Sequence, residues 1–144
     1  MATVELRFSA LPEHVRTARL VAAAVARRAG VDEAVLDEVR LAVGEACSRA
    51  VGLHQTAGIA EPVRVALIEE EKQFSIEVGD EAPRSVPGDR APGGAADADV
   101  EAEEDEMGLA VISGLVDDVE VTAGEHGGLI RMTWPTTPPG VALT

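Results

Sequence analysis

The chain has 144 residues, enough for one domain with a real core, and its single cysteine excludes an intramolecular disulfide and any cysteine-cluster metal site. Twenty-six acidic residues against 12 lysines and arginines leave a net charge of −14, which disfavours nucleic acid and anionic membranes as partners and favours a basic surface. Aromatic content is 2 %, with no tyrosine, so the core has to be built from Val, Leu, Ile and Ala.

Residues Thr3 to Ser9 alternate Val4, Leu6 and Phe8 with polar neighbours, the pattern of a strand with one buried face. Leu11-Pro12-Glu13-His14 opens a helix with proline suited to its first turn, and Gly30 suits its C-terminal cap. That helix turns Val15, Ala18, Ala22 and Val25 inward and carries Arg16, Arg19, Arg27 and Arg28, much of the scarce positive charge. A second helix starts near Asp32, a plausible N-cap, and runs to about Leu53, before a loop from Gln55 to Pro62. Val35, Val39, Ala42, Val43, Ala46 and Ala50 fall three or four residues apart and share its buried face. Cys47 lies near that face and reads as a buried, inert thiol. Glu45 and Arg49 lie off it and neighbour each other, either as an ordinary surface pair or as part of a site.

Val63 to Glu69 and Phe74 to Val78 alternate again and form a strand pair joined by a short charged turn, the second strand ending on Gly79-Asp80. From Glu81 to Glu106 the chain becomes rich in proline, glycine and acid, and seven of the ten residues Asp97 to Glu106 are acidic. Such a stretch lacks the apolar surface to offset its ordering entropy, so a flexible loop over about 81–106 is expected. Met107 to Val116 is a short apolar helix; Val119 and Val121 mark a strand. Glu125-His126-Gly127-Gly128 is a hairpin turn, and the final strand alternates Ile130, Met132 and Trp134 before Pro135. The tail, 136–144, is expected to be disordered.

Helices in blocks and strands in adjacent pairs indicate an α+β domain over 1–135, with one mixed sheet and helices packed on one face. The N-terminus has no apolar run of the signal-peptide kind and no segment is long enough to span a bilayer, so a cytoplasmic protein is expected. His14, His54 and His126 show no ligand spacing, and no metal site is expected among them.

Three stretches carry a resemblance. Leu41 to Val51 is similar to the helix pattern Ala-Val-Ser-Glu-Ala-x-Thr-Asn-Ala of the Bergerat-type, histidine-kinase-like ATPases. Ile76 to Glu81 resembles the strand that ends in their Asp-x-Gly-x-Gly turn, and Met107 to Ile112 resembles the glycine-containing start of their phosphate-binding helix. In order and spacing, these look most like the small anti-sigma factors of the RsbW and SpoIIAB type, over roughly Val4 to Trp134. The resemblance implies a protein that silences a sigma factor and uses MgATP to phosphorylate a serine on an STAS-domain anti-anti-sigma factor. It implies Glu45 as the base for the attacking hydroxyl, Asp80 as the contact to the adenine amino group, and Gly108 among the phosphate-cradling glycines. The first helix and the nearby sheet edge would serve dimerisation and partner binding, which makes Arg16 and Arg19 candidates for an acidic partner.

The chain also departs from the pattern. Arg49 stands where the magnesium-ligating asparagine is expected, and a guanidinium has no lone pair for a cation. Ala82 and Arg84 replace the two glycines of the aspartate turn, and Glu106 replaces a glycine of the phosphate helix. His54 falls five residues after Arg49, one beyond the histidine position of the family, and is not assigned a role. The sequence therefore points to a partner-switching regulator whose ATP binding and kinase activity have decayed, with Arg49 able at most to meet a phosphate directly. An active serine kinase, or an acidic interaction module unrelated to sigma factors, are the alternatives.

Overall fold

The computed structural model describes residues 2–82, 109–116 and 118–136. Its elements are β1 (Ala2–Phe8), α1 (Glu13–Ala29), a 3-10 turn (Glu33–Val35), α2 (Leu36–Ala57), β2 (Val63–Glu69), β3 (Gln73–Asp80), β4 (Asp118–Gly124) and β5 (Gly127–Pro135). A helical segment, residues 109–115, precedes β4. Most of the expected acidic loop, together with Arg84, Glu106, Gly108 and the tail from 137, lies outside the described residues.

The five strands form one sheet in the order β1-β2-β3-β5-β4. Every pairing is antiparallel, where a mixed sheet was expected. The reason is connectivity: β2–β3 and β4–β5 are hairpins, and β1 joins the free edge of β2 running against it. One row crosses the whole sheet, Val4, Leu67, Ile76, Met132 and Val119, and it faces the helices. With Leu6, Val65, Val78 and Ile130 in the next such row, these side chains join Val15, Ala18, Ala22, Val39, Val43 and Ala46 in a single core. The alanines of both helices let them approach one another and the sheet closely. Ile112 and Val116, on either side of the end of the last helical segment, are buried in the same core. The sole tryptophan, Trp134, stacks near Phe74 with ring centroids 6.5 Å apart.

Both long helices end on a left-handed glycine. Gly30 has φ 102°, and the Val31 amide donates to the Ala26 carbonyl at 3.0 Å. Gly58 has φ 67°, and the Ile59 amide donates to the His54 carbonyl at 2.9 Å. These are Schellman closures, in which glycine accepts a conformation that other residues resist. The second one corrects the expected end of α2: the helix continues to Ala57, so His54 and Gln55 are helical. At its other end Asp32 caps the 3-10 turn, accepting from the Ala34 amide at 2.9 Å, and α2 proper begins at Leu36.

Candidate functional site

Two places gather the chemistry. The first is the turn leaving β3. Asp80 is 3 % exposed although it is ionisable, and its Oδ1 accepts from the Ala82 amide at 3.0 Å. Burial of such a group demands hydrogen-bond partners, and the turn supplies one from its own backbone. Glu81 is held from two sides: its amide donates to His54 Nε2 at 2.8 Å, and its carboxylate meets Arg64 Nη2 at 3.1 Å. Ala82 is buried at 3 % exposure, so the side chain standing where the resemblance calls for glycine is packed as an apolar residue. From the other side Gly127, at φ 122°, brings its α-carbon against the Asp80 carbonyl. The turn is thus fixed by β5, by the end of α2 and by β2 together.

His54 is the residue that sequence reasoning passed over. It is fully buried, and it reaches the Glu61 carbonyl through Nδ1 at 2.9 Å as well as the Glu81 amide. Counting positions along α2 gave no signal for this, because its partners belong to other segments of the chain. The available hint was a histidine amid a helix otherwise rich in alanine and valine, just ahead of a glycine cap.

The second place is a cleft of about 220 Å³ between α1 and α2, lined by Val15, Arg19, Arg40, Leu41, Gly44, Glu45 and Ser48. Here the structure brings together Glu45 and Arg19, which the sequence separates by 26 positions. Gly44 makes the arrangement possible. A Cβ there would lie 2.9 Å from Arg19 Cδ, so the arginine stem lies across the missing side chain. Arg40 pairs with Asp37 along the same helix. Leu41 is 54 % exposed at the rim, and Leu20 on α1 is 58 % exposed. Arg16 is exposed one turn of α1 before Leu20. Glu45 is half-buried, as is Arg49 one turn further along α2.

Along the helix axis Glu45 and His54 are nine residues apart, about 14 Å at 1.5 Å per residue. The candidate base and the candidate base-recognition turn therefore lie at different levels of α2. ATP with magnesium, the cofactor pair implied by the motifs, fits the two levels unequally. A buried carboxylate at the β3 exit suits an amino-group donor such as that of adenine. At the other level, Arg49 presents a guanidinium, which has no lone pair to offer magnesium, where the resemblance calls for an oxygen ligand. Among the described residues, no group of three or more His, Cys, Asp or Glu is placed to hold a metal ion.

Cys47 is fully buried in α2, and burial pushes its thiol up to about 12. It takes no part in either place. No described helix is long and apolar enough to cross a membrane.

Residues 8–134 match the family model of the histidine kinase-like ATPase domain. No curated protein matches the chain in sequence. Among solved structures, it is similar to the RsbU and RsbW domains of Rv1364c from Mycobacterium tuberculosis, with a TM-score of 0.68 at 16 % identity. That likeness covers 96 % of this chain and 33 % of the other, so this chain spans about a third of that protein's length and shares its fold over that part. The match over 8–134 embraces the strand, helix and turn positions just described, and the chain belongs to the histidine kinase-like ATPase domain family.

Proposed function

We propose that this protein is an anti-sigma-type regulator that switches between a sigma factor and an STAS-domain anti-anti-sigma factor, with its ATP-dependent kinase chemistry lost. The observation that carries the loss is Arg49 on α2, where the resemblance calls for a magnesium-binding asparagine. Without the metal, the charge developing on a transferred phosphoryl group loses its main counter-charge; Glu45, itself an anion, supplies none, and Arg49 could at most meet one phosphate directly. Partner binding is supported by the cleft between α1 and α2. Arg19 is seated there by Gly44, Arg16 lies on the same helix, and exposed Leu20 and Leu41 offer apolar contact beside them. In a chain of net charge −14, these arginines are the feature that an acidic partner segment would find.

A second reading, an active serine kinase acting on the STAS-domain protein, is favoured by one observation: Asp80 is buried and its turn is closely held through Glu81 and Ala82. Titration calorimetry of the purified protein with ADP and ATP, with and without magnesium, separates the two. The regulator reading expects no magnesium-dependent gain in affinity. Micromolar binding that requires magnesium would sink it and make Glu45 the next residue to replace in a phosphorylation assay. For the partner surface, Arg16→Glu with Arg19→Glu should weaken binding of the STAS-domain protein at least tenfold, and unchanged affinity would remove α1 from consideration.

A further inference from the structure

We infer that His54 is a positioning residue for the Asp80 turn, acting through Nε2, which holds the Glu81 amide. The inference deepens the reading of Asp80 as a base contact and rests on it for its functional consequence. A backbone amide can only donate, so Nε2 at 2.8 Å from the Glu81 nitrogen must be the unprotonated ring nitrogen. Nδ1 then carries the proton and donates to the Glu61 carbonyl at 2.9 Å. The imidazole is a neutral, single-tautomer strut, fully buried between its two backbone partners.

Its position in the chain gives the strut a purpose. His54 lies in the last turn of α2, which the Gly58 closure fixes, and its neighbour Gln55 donates to the Ala10 carbonyl at 3.2 Å. This turn is the point where the helix layer grips the segment before α1, the segment before β2 and the exit of β3. Of the three, the grip on Glu81 is the one adjacent to a buried carboxylate. The Ala82 amide orients that carboxylate through Oδ1, and Ala82 follows Glu81 directly. Fixing the Glu81 amide therefore fixes the plane from which Asp80 is presented. His54 itself need not touch any ligand.

The two bonds can be cut separately. His54→Gln places an acceptor near the position of Nε2 and gives up the bond to Glu61, whereas His54→Asn keeps a donor near Nδ1 and gives up the bond to Glu81. Amide hydrogen exchange at Glu81 and binding of ADP without magnesium are measured on both variants and on the parent protein. The expected result is that His54→Asn speeds Glu81 exchange and weakens ADP about tenfold, the upper range for one lost hydrogen bond, while His54→Gln stays within about threefold. Equal behaviour of the two variants, or the reverse order, would overturn the inference. The ring nitrogens of the unmodified protein provide a reading that needs no variant to fold: ¹⁵N shifts should show Nδ1 protonated and Nε2 bare, and the opposite tautomer would overturn it as well. If the parent protein binds no ADP, Asp80 as a base contact fails by itself. The exchange pattern and the ring tautomer then still decide the positioning role.

Discussion

Replacing Gly127 with alanine tests whether the Asp80 turn is as closely packed as its geometry indicates. Gly127 starts β5 at φ 122°, and a Cβ there would stand 2.1 Å from the Asp80 carbonyl oxygen. That is about 1 Å inside the 3.0 Å below which real Cβ contacts essentially do not occur, and the obstacle is backbone, not the tip of a flexible side chain. A left-handed conformation costs a residue with a Cβ about 1–2 kcal/mol. Displacing the packed strand end adds about 1–3 kcal/mol, the usual range for overpacking. The expected loss is therefore roughly 2–5 kcal/mol, a large part of the stability of an ordinary domain. Urea unfolding followed by Trp134 fluorescence and by far-ultraviolet dichroism measures it, and a urea dependence of about 2 kcal/mol per molar places the midpoint roughly 1–2.5 M lower. Gly124, in the same hairpin, has nothing within 4 Å of the equivalent point and no left-handed φ, so Gly124→Ala should change stability by less than about 1 kcal/mol. Equal effects at the two glycines, or a loss under about 1 kcal/mol at Gly127, would refute the close approach of β5 to Asp80.

Other outcomes follow from the same contacts. Gly44→Ala should favour α2 by up to about 1 kcal/mol through helix propensity, yet push Arg19 off its seat and weaken partner binding; a mutant that binds as well as the parent would show that the seat does not matter. Cys47, its thiol raised to about 12 by burial, should resist alkylation at pH 8 in the folded protein and react fully in denaturant. Since an unfolded thiol ionises from about 9, the native state holds that proton longer, and stability should fall as pH rises from about 9 to about 12, by at most about 1.4 kcal/mol per pH unit. Cys47→Ser should flatten that slope in a pH series of urea titrations, and an unchanged slope would assign it to other groups. Arg49→Asn restores an oxygen ligand on α2; magnesium-dependent ATP binding gained in the mutant would locate the loss at this one residue, whereas none gained would spread it over the glycine positions.

The strands and helices were legible because their periods are clean. Val63-Val65-Leu67 and Ile130-Met132-Trp134 each mark a buried strand face, Val4-Leu6-Phe8 a half-buried one, and the alanine and valine spacing of α2 marks a helix face. The sheet's uniform antiparallel pairing was less so, since nothing local to β1 says which edge it joins or in which direction. The end of α2 was misplaced for a related reason. His54-Gln55-Thr56 looks polar enough for a loop, but His54 is buried by partners at Glu61 and Glu81, and the capping glycine is Gly58. Glu45, Asp80 and Arg19 were all named from the chain alone. That Glu45 and Arg19 share a cleft was not readable, because it depends on how α1 crosses α2 over the bare backbone of Gly44.

The two halves of the site differ in what else they do for the molecule. Asp80 lies in a turn bound to β5 through Gly127, to α2 through His54 and to its own backbone through Ala82. Removing its carboxylate would leave a buried amide without its acceptor, a cost of about 1–3 kcal/mol whether or not a nucleotide is ever bound. Position 49 carries no such obligation to the core: it is half-exposed on α2, while the neighbouring core contacts are made by Ala46 and Ala50. An arginine at this half-exposed position is accommodated at little expense to the core. A buried, closely held Asp80 is therefore weak support for kinase activity in this fold, because stability alone is reason enough to keep it. The residue at position 49, half-exposed beside the core contacts of Ala46 and Ala50, is the more informative of the two, and in this chain it is an arginine.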